Sequence, residues 1–256
     1  MKIVIKVGTS TLAHESGRLN IRRVEELCKV LSDLKNAGHE LILVTSGAIG
    51  MGVGKLGLSS RPSDMPTKQA SAAVGQCELM YTYDRLFSEY NHTVAQILIT
   101  ASDVKNEERH ENFKNTLCRL LELNVLPIIN ENDTIATEEI AVGDNDTLAA
   151  IVAESSDAEL LVLLSDIDGL YTADPHKDEN ASLIPVVESI DDGVMALGGE
   201  KGSSLGTGGM RTKLLAARIS TEAGCDMVIA NGSSPDVLYD IVEGKQVGTR
   251  FLSKKD

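Results

Sequence analysis

The sequence has no tryptophan and only three phenylalanines, too few rings for a surface that stacks nucleic-acid bases. Positive charge is also in deficit: 24 Lys and Arg against 38 Asp and Glu leave a net charge of -14, which excludes a basic stripe for a phosphate backbone. No apolar run approaches membrane-spanning length, and no basic stretch followed by an apolar one opens the chain. The expected protein is cytoplasmic, with neither nucleic acid nor membrane as a partner. Cys28, Cys77, Cys118 and Cys225 form no C-x-x-C pair, and His14, His39, His92, His110 and His176 lack zinc-ligand spacing, so buried reduced thiols are expected and no metal site built by protein alone.

Three nucleotide or hydrolase motifs are absent on inspection. Gly52-Val53-Gly54-Lys55-Leu56-Gly57 matches G-x-G-x-x-G, but it follows no strand directly and lacks the acidic strand end about twenty residues on that a ribose requires. The same stretch fails as a Walker motif, because Leu56 follows Lys55 and position 49 is Ile49 rather than the first glycine. Gly202-Ser203-Ser204-Leu205-Gly206 matches the nucleophile elbow, yet no apolar strand precedes it and no histidine follows His176, against the chain order that elbow uses.

What is present is a regular alternation. Met1 to Val7 is a β-branched run ending in Gly8-Thr9-Ser10, with Ile3, Ile5 and Val7 on one face and Val4 on the other, as in a parallel strand covered on both sides. Lys6 interrupts it. A buried ammonium needs an anion, and Gly8 lets a bulky group approach the backbone; the competing reading is an edge-strand lysine whose head reaches water. Asn20 can cap a helix with apolar residues at Ile21, Val24, Leu27, Leu31 and Leu34, ended by Gly38. Further strands are predicted over 40–45, 94–99, 125–129, 160–164, 227–230 and 247–252. Helices are predicted from Pro66 to about Glu89, from about Arg109 to Leu123, over Thr147 to Ala153, from Met210 to about Ala223, and briefly after Pro235. Thr134 to Val142 alternates loosely, as a small hairpin or lid would, and Asp144 or Asn145 could simply cap the helix after it. This alternation predicts one three-layer α/β/α sandwich with a mostly parallel open central sheet.

Six glycines between Gly198 and Gly209 lead into Met210-Arg211-Thr212-Lys213, where backbone N–H groups and a helix N-terminus can wrap a phosphate. Two lysines beside glycine turns, Lys6 and Lys213, with acids at strand ends (Asp133, Asp166) and at a helix start (Asp146), describe phosphoryl transfer without a Walker motif. Such chemistry needs cations and positioning more than covalent help.

Seven stretches in order carry a resemblance: Lys6 to Ser10, Val44 to Ile49, Ala73 to Gln76, Ile129 to Asp133, Val142 to Asp146, Gly169 to Pro175 and Gly206 to Lys213. Together they resemble the amino-acid kinase family, and within it the kinases that act on glutamate. The resemblance implies the amino-acid kinase fold, with roughly 1–155 as a glutamate-binding lobe and 156–256 as a nucleotide-binding lobe. It implies ATP-dependent phosphorylation of the γ-carboxylate of L-glutamate to L-glutamyl 5-phosphate, the first step of proline synthesis. By motif, Lys6 and Lys213 neutralise the transferring group and Asp146 holds both lysines. Ser46, Asp133 and Asn145 bind glutamate; Lys6, Gly8, Ser165, Asp166 and Thr207, Gly208, Gly209, Met210, Arg211, Thr212 and Lys213 bind ATP, with Mg2+ carried on the phosphates. Feedback by L-proline and a homo-oligomer, dimer or tetramer, are also implied, in a short form lacking a C-terminal RNA-binding-like module. Competing readings are a kinase of the same family for another carboxylate or a phosphate, and a non-catalytic amino-acid sensor; both lysines with Asp146 speak against the sensor.

Overall fold

The computed structural model describes residues 1–14, 18–136, 145–175, 177–199 and 209–254. Its strands are β1 (Lys2–Val7), β2 (Glu40–Val44), β3 (Val94–Ile99), β4 (Leu126–Glu131), β5 (Leu160–Ser165), β6 (Val186–Val187), β7 (Asp226–Asn231) and β8 (Thr249–Phe251), joined in one sheet of order β3-β4-β2-β1-β5-β7-β8-β6. The six strands from β3 to β7 in that order are parallel, β8 runs against β7, and β6 pairs with β8. The chain turns both ways from β1, which pairs with β2 on one side and β5 on the other. In open parallel sheets that reversal opens a crevice at the carboxyl ends of the strands. It also disposes of the edge-strand reading of Lys6, which lies between Val44 and Leu163.

Helices cover both faces. On the first, Ile3, Ile5 and Val7 pack with Leu27 and Leu31 of α2 (Ile21–Asn36), with Leu79, Tyr83 and Phe87 of α4 (Met65–Ser88), and with Leu238 and Ile241 of α10 (Val237–Val242). On the second, Val4, Ile42, Leu161 and Leu163 pack with Leu117 of α6 (Glu107–Glu122), Leu148 and Val152 of α7 (Asn145–Ser155) and Leu214 of α9 (Met210–Glu222). This is the predicted three-layer sandwich. The period of two along β1 places Lys6 on the Val4 face, toward α7 and α9.

Several boundaries and burials differ from expectation. Helix α7 starts at Asn145, so Asp146 lies in its first turn. Helices α1 (Thr9–Leu12), α5 (Ala101–Lys105) and α8 (Asp192–Ala196) are too short for a period to show, and the glycines of α3 (Ala48–Leu56) disguise it as a loop. Asn20 does cap α2 through Arg23 N, but Ile21, the first residue of the helix, is exposed. Cys28 and Cys225 are buried free thiols, as expected, whereas Cys77 and Cys118 are exposed. Of the expected hairpin over 134–142, Thr134 and Ile135 belong to a turn and residues 137–142 lie outside the described residues, as do the elbow-like match at 202–206 and Asp144.

The G-x-G-x-x-G match has a packing explanation. A Cβ on Gly52 would lie 1.8 Å from Ser71 O, and one on Gly75 of α4 would lie 1.8 Å from Ala48 O. The backbones of α3 and α4 touch there, and Gly57 ends α3 at a φ of 67°. Gly75→Ala forces two backbones apart, so a loss of about 3 kcal/mol and a fall in melting temperature of about 6–12 °C are expected. Thermal unfolding followed by circular dichroism measures it; an unchanged midpoint contradicts so close a crossing.

Candidate active site

Lys6, near the carboxyl end of β1, and Lys213, in the first turn of α9, converge on one carboxylate. Lys6 Nζ is 2.6 Å from Asp146 Oδ1, and Lys213 Nζ is 2.9 Å from Asp146 Oδ2. Asp146 is 0% exposed, Lys6 5% and Lys213 6%, so all three charges are taken from water and stabilise one another. Both ammonium groups meet this one carboxylate inside a chain of net charge -14. Asp146 also sits in the first turn of α7, where the helix dipole favours a carboxylate. Thr212 Oγ1 donates to Gly209 O at 2.8 Å and lies 3.3 Å from Asp146 Oδ2.

Asn145 and Asp146 are consecutive, about 100° apart around α7, and reach different neighbours. Asp146 reaches β1 and α9. Asn145 Nδ2 reaches the ends of β2 and β4, lying 2.5 Å from Thr45 O, 2.8 Å from Ser46 Oγ and 2.9 Å from Asn130 Oδ1. The first turn of α7 is therefore the seam between a cationic group and a polar, uncharged one. Asn145 is more than a cap, since its amide donates across to two strand ends.

The other expected residues surround this seam. Gly8 follows β1, and a Cβ there would lie 3.7 Å from Lys6 Nζ. Gly209 precedes α9 as its N-cap without a side-chain cap bond, Met210 and Thr212 are half-buried, and Arg211 is exposed; Thr207 and Gly208 lie outside the described residues. Ser165, buried at the end of β5, donates from Oγ to Oδ1 of the exposed Asp166 at 3.1 Å, and its carbonyl accepts from Gly232 N at 2.7 Å. Asp133 is half-buried in the turn after β4. Burial pushes its carboxyl above the usual carboxylate range, an effect that the nearby Arg61 guanidinium opposes. The structure joins Ser46 to Asn145 through a hydrogen bond and places Asp133 in the turn past the end of β4.

Asn130, Gln76 and Gln96 had no role assigned from sequence, although two of them fall in the quoted motifs. Asn130 Nδ2 donates to Gln76 Oε1 and Gln76 Nε2 to Gln96 Oε1, each at 2.9 Å. A signal was available: Gln76 interrupts the buried face of α4 formed by Ala72, Leu79 and Tyr83, and Asn130 ends a buried strand. Among the described residues no group of three His, Cys, Asp or Glu could hold a metal ion, and no helix is long and apolar enough to cross a membrane.

A profile of the amino acid kinase family matches residues 1–231. The chain is 53% identical over 253 residues to the glutamate 5-kinase of Clostridium tetani, covering 99% of this chain and 95% of that protein. It is 50% identical over 256 residues to the glutamate 5-kinase of Caldanaerobacter subterraneus subsp. tengcongensis, covering all of this chain and 69% of that longer protein. Among solved structures, a carbamate kinase from Giardia lamblia bound to AMP-PNP superposes with a TM-score of 0.69 at 16% identity, over 99% of this chain and 98% of that one. A UMP kinase from Bacillus anthracis gives 0.67 at 16% identity, over 99% and 96%. Identity that low speaks to the fold alone.

Proposed function

The chain belongs to the amino acid kinase family, and from that premise we propose that it transfers the γ-phosphoryl group of ATP to the γ-carboxylate of L-glutamate, giving L-glutamyl 5-phosphate and ADP. Relatives about half identical over nearly the whole chain are glutamate 5-kinases, which places the reaction at the start of proline synthesis. The observation that carries the residue roles is the convergence of Lys6 and Lys213 on buried Asp146.

The chemistry asks for that arrangement. A γ-carboxylate with an ordinary pKa of about 4.3 arrives ionised, so no general base is needed. The obstacle is an anion approaching another anion. At about 4 Å and an effective dielectric of 20, each ammonium contact is worth roughly 4 kcal/mol, and Lys6 and Lys213 supply two such contacts. Asp146 holds both ammonium groups against the strand ends, where the reacting oxygens meet. Gly209 to Lys213 at the start of α9, with Ser165 and Asp166, take the nucleotide: the α9 terminus has no side-chain cap among the described residues, which leaves N–H groups for phosphate oxygens. Mg2+ bound on the phosphates supplies further charge neutralisation. Ser46, Asn145 and Asp133 take glutamate, so that roughly 1–155 carries the acceptor and 156–256 the nucleotide, with Lys6 reaching across.

The test is hydroxamate formation with MgATP and hydroxylamine, which captures an acyl phosphate and releases phosphate. Glutamate gives product; acetylglutamate and aspartate give little. No hydroxamate from glutamate refutes the reading.

Asp133 is assigned to the substrate ammonium. Asp133→Asn removes one charge-assisted bond of about 1.5–3 kcal/mol and is expected to raise the KM for glutamate about 10- to 100-fold while leaving that for ATP within about twofold. Equal effects on both would make Asp133 a support of the fold. Because burial raises its carboxyl above 3.8, the KM for glutamate should begin to rise with falling pH before an ordinary carboxylate would protonate. The stability sign is opposite: the native state keeps this proton to higher pH than the unfolded chain, so the contribution of Asp133 to stability falls as pH rises through that window.

Free L-proline shares glutamate's α-carboxylate and cationic amine but has no γ-carboxylate, and we assign its inhibition to the same Asp133 and Asn145 group. Proline should raise the apparent KM for glutamate at constant kcat. A fall in kcat that saturating glutamate cannot reverse places proline elsewhere.

A further inference from the structure

A side-chain amide is nearly symmetric in shape but reversed in charge when its N and O exchange places, so its direction must come from neighbours of fixed polarity. Two such neighbours fix the amides of Asn130 and Asn145. Glu131 N–H can only donate, and it donates to Asn130 Oδ1 at 2.9 Å. Thr45 C=O can only accept, and it accepts from Asn145 Nδ2 at 2.5 Å.

Each anchor propagates along the chain of amides. With Asn130 Oδ1 occupied by Glu131 N–H, Asn130 Nδ2 must face Gln76, which therefore presents Oε1 and turns Nε2 outward to Gln96 Oε1. From the other side, Thr45 O requires Asn145 to present its NH2, and that NH2 meets Asn130 Oδ1 at 2.9 Å. The two anchors agree at Asn130. Asn130 is 1% exposed and Gln76 7%, so no water stands ready to replace a missing partner. The relay joins α4, β3, β4 and α7, with only its Gln96 end exposed.

We propose that Gln76 and Asn130 are positioning residues that set the polarity of the glutamate site, an inference that rests on the function proposed above. Their relay commits the NH2 of Asn145 to protein and leaves its Oδ1, which takes no part in the relay, as an acceptor for the substrate ammonium. The site thereby prefers an α-amino acid to a plain dicarboxylate of the same length. A site built to bond a polar group rejects the analogue that lacks it more strongly than apolar packing can.

The test compares glutamate with glutarate, which keeps both carboxylates and lacks the ammonium, using the full chain. Gln76→Met fills similar space but withdraws the acceptor from Asn130; Gln76→Glu retains it. The expected result for Gln76→Met is a fall of 10-fold or more in the glutamate-to-glutarate ratio of kcat/KM, through a higher KM for glutamate, with the KM for ATP within about twofold of the parent. Gln76→Glu should stay within about threefold of the parent ratio. If Gln76→Met does not fold, Gln76→Asn, which draws the amide back by one methylene, is expected to lower the ratio in the same direction. A variant that melts earlier yet keeps the parent ratio overturns the proposal and leaves Gln76 a packing residue. A parent chain inactive on glutamate refutes the proposed function itself and this inference with it, whereas an active parent with an unchanged ratio in Gln76→Met refutes the relay alone.

Discussion

Lys213→Ala is expected to lower kcat by about 100-fold or more, corresponding to roughly 3 kcal/mol of lost stabilisation as the phosphoryl group moves between two anions. The KM values should change much less, because the interaction strengthens as charge gathers on the transferring oxygens. Lys213 meets the fully buried Asp146, so its removal takes a buried charge partner from that carboxylate. A loss of about 1–3 kcal/mol in stability should accompany the kinetic effect. Kinetics and thermal unfolding on the same sample separate the two. A folded variant with unchanged kcat removes Lys213 from the mechanism.

Asp146→Asn is expected to be worse for the fold than any change at the lysines. The substitution preserves shape, yet it takes from two buried ammonium groups the carboxylate that they share. Breaking a buried ion pair by removing one partner costs about 3–5 kcal/mol, and in a chain of this size the melting temperature should fall by on the order of 10 °C. Activity should fall as well, because repulsion drives Lys6 and Lys213 from the positions at which they meet the phosphoryl group. Phosphate or sulfate should recover part of the lost melting temperature in Asp146→Asn and have less effect on the parent, since an anion can take the carboxylate's place. An Asp146→Asn variant as stable as the parent would mean that the lysines are charged against other partners.

Much of the architecture was legible because it rests on local periodicity. The near-continuous apolar pattern of residues 3–7 and 160–164 predicts interior parallel strands, and both are buried on two sides in the structure. Asn20, Asp64 and Asn106 each accept a backbone N–H at a helix start, although only the first was expected as a cap. Short helices such as α1 and α5 were missed, because four or five residues complete too little of a turn pattern to be told from a loop.

The chemistry divides in the same way. Composition, charge and the lysine-glycine pattern suffice to point to an anion site served by cations, because residue type and local context carry that information. Which groups meet is decided by the sheet order and by helix phase. Sequence places Lys6, Asp146 and Lys213 far apart in the chain; they meet because β1 lies at the reversal point of the sheet and α7 and α9 pack side by side over its carboxyl end. Likewise Gln76 and Asn130 stand in the sequence as polar residues on apolar elements, with nothing to say that they meet. Glu131 N–H anchors Asn130 from the next position in the chain, but only tertiary packing brings Gln76, Asn145 and Thr45 C=O to the same amide chain, since those partners are distant in sequence.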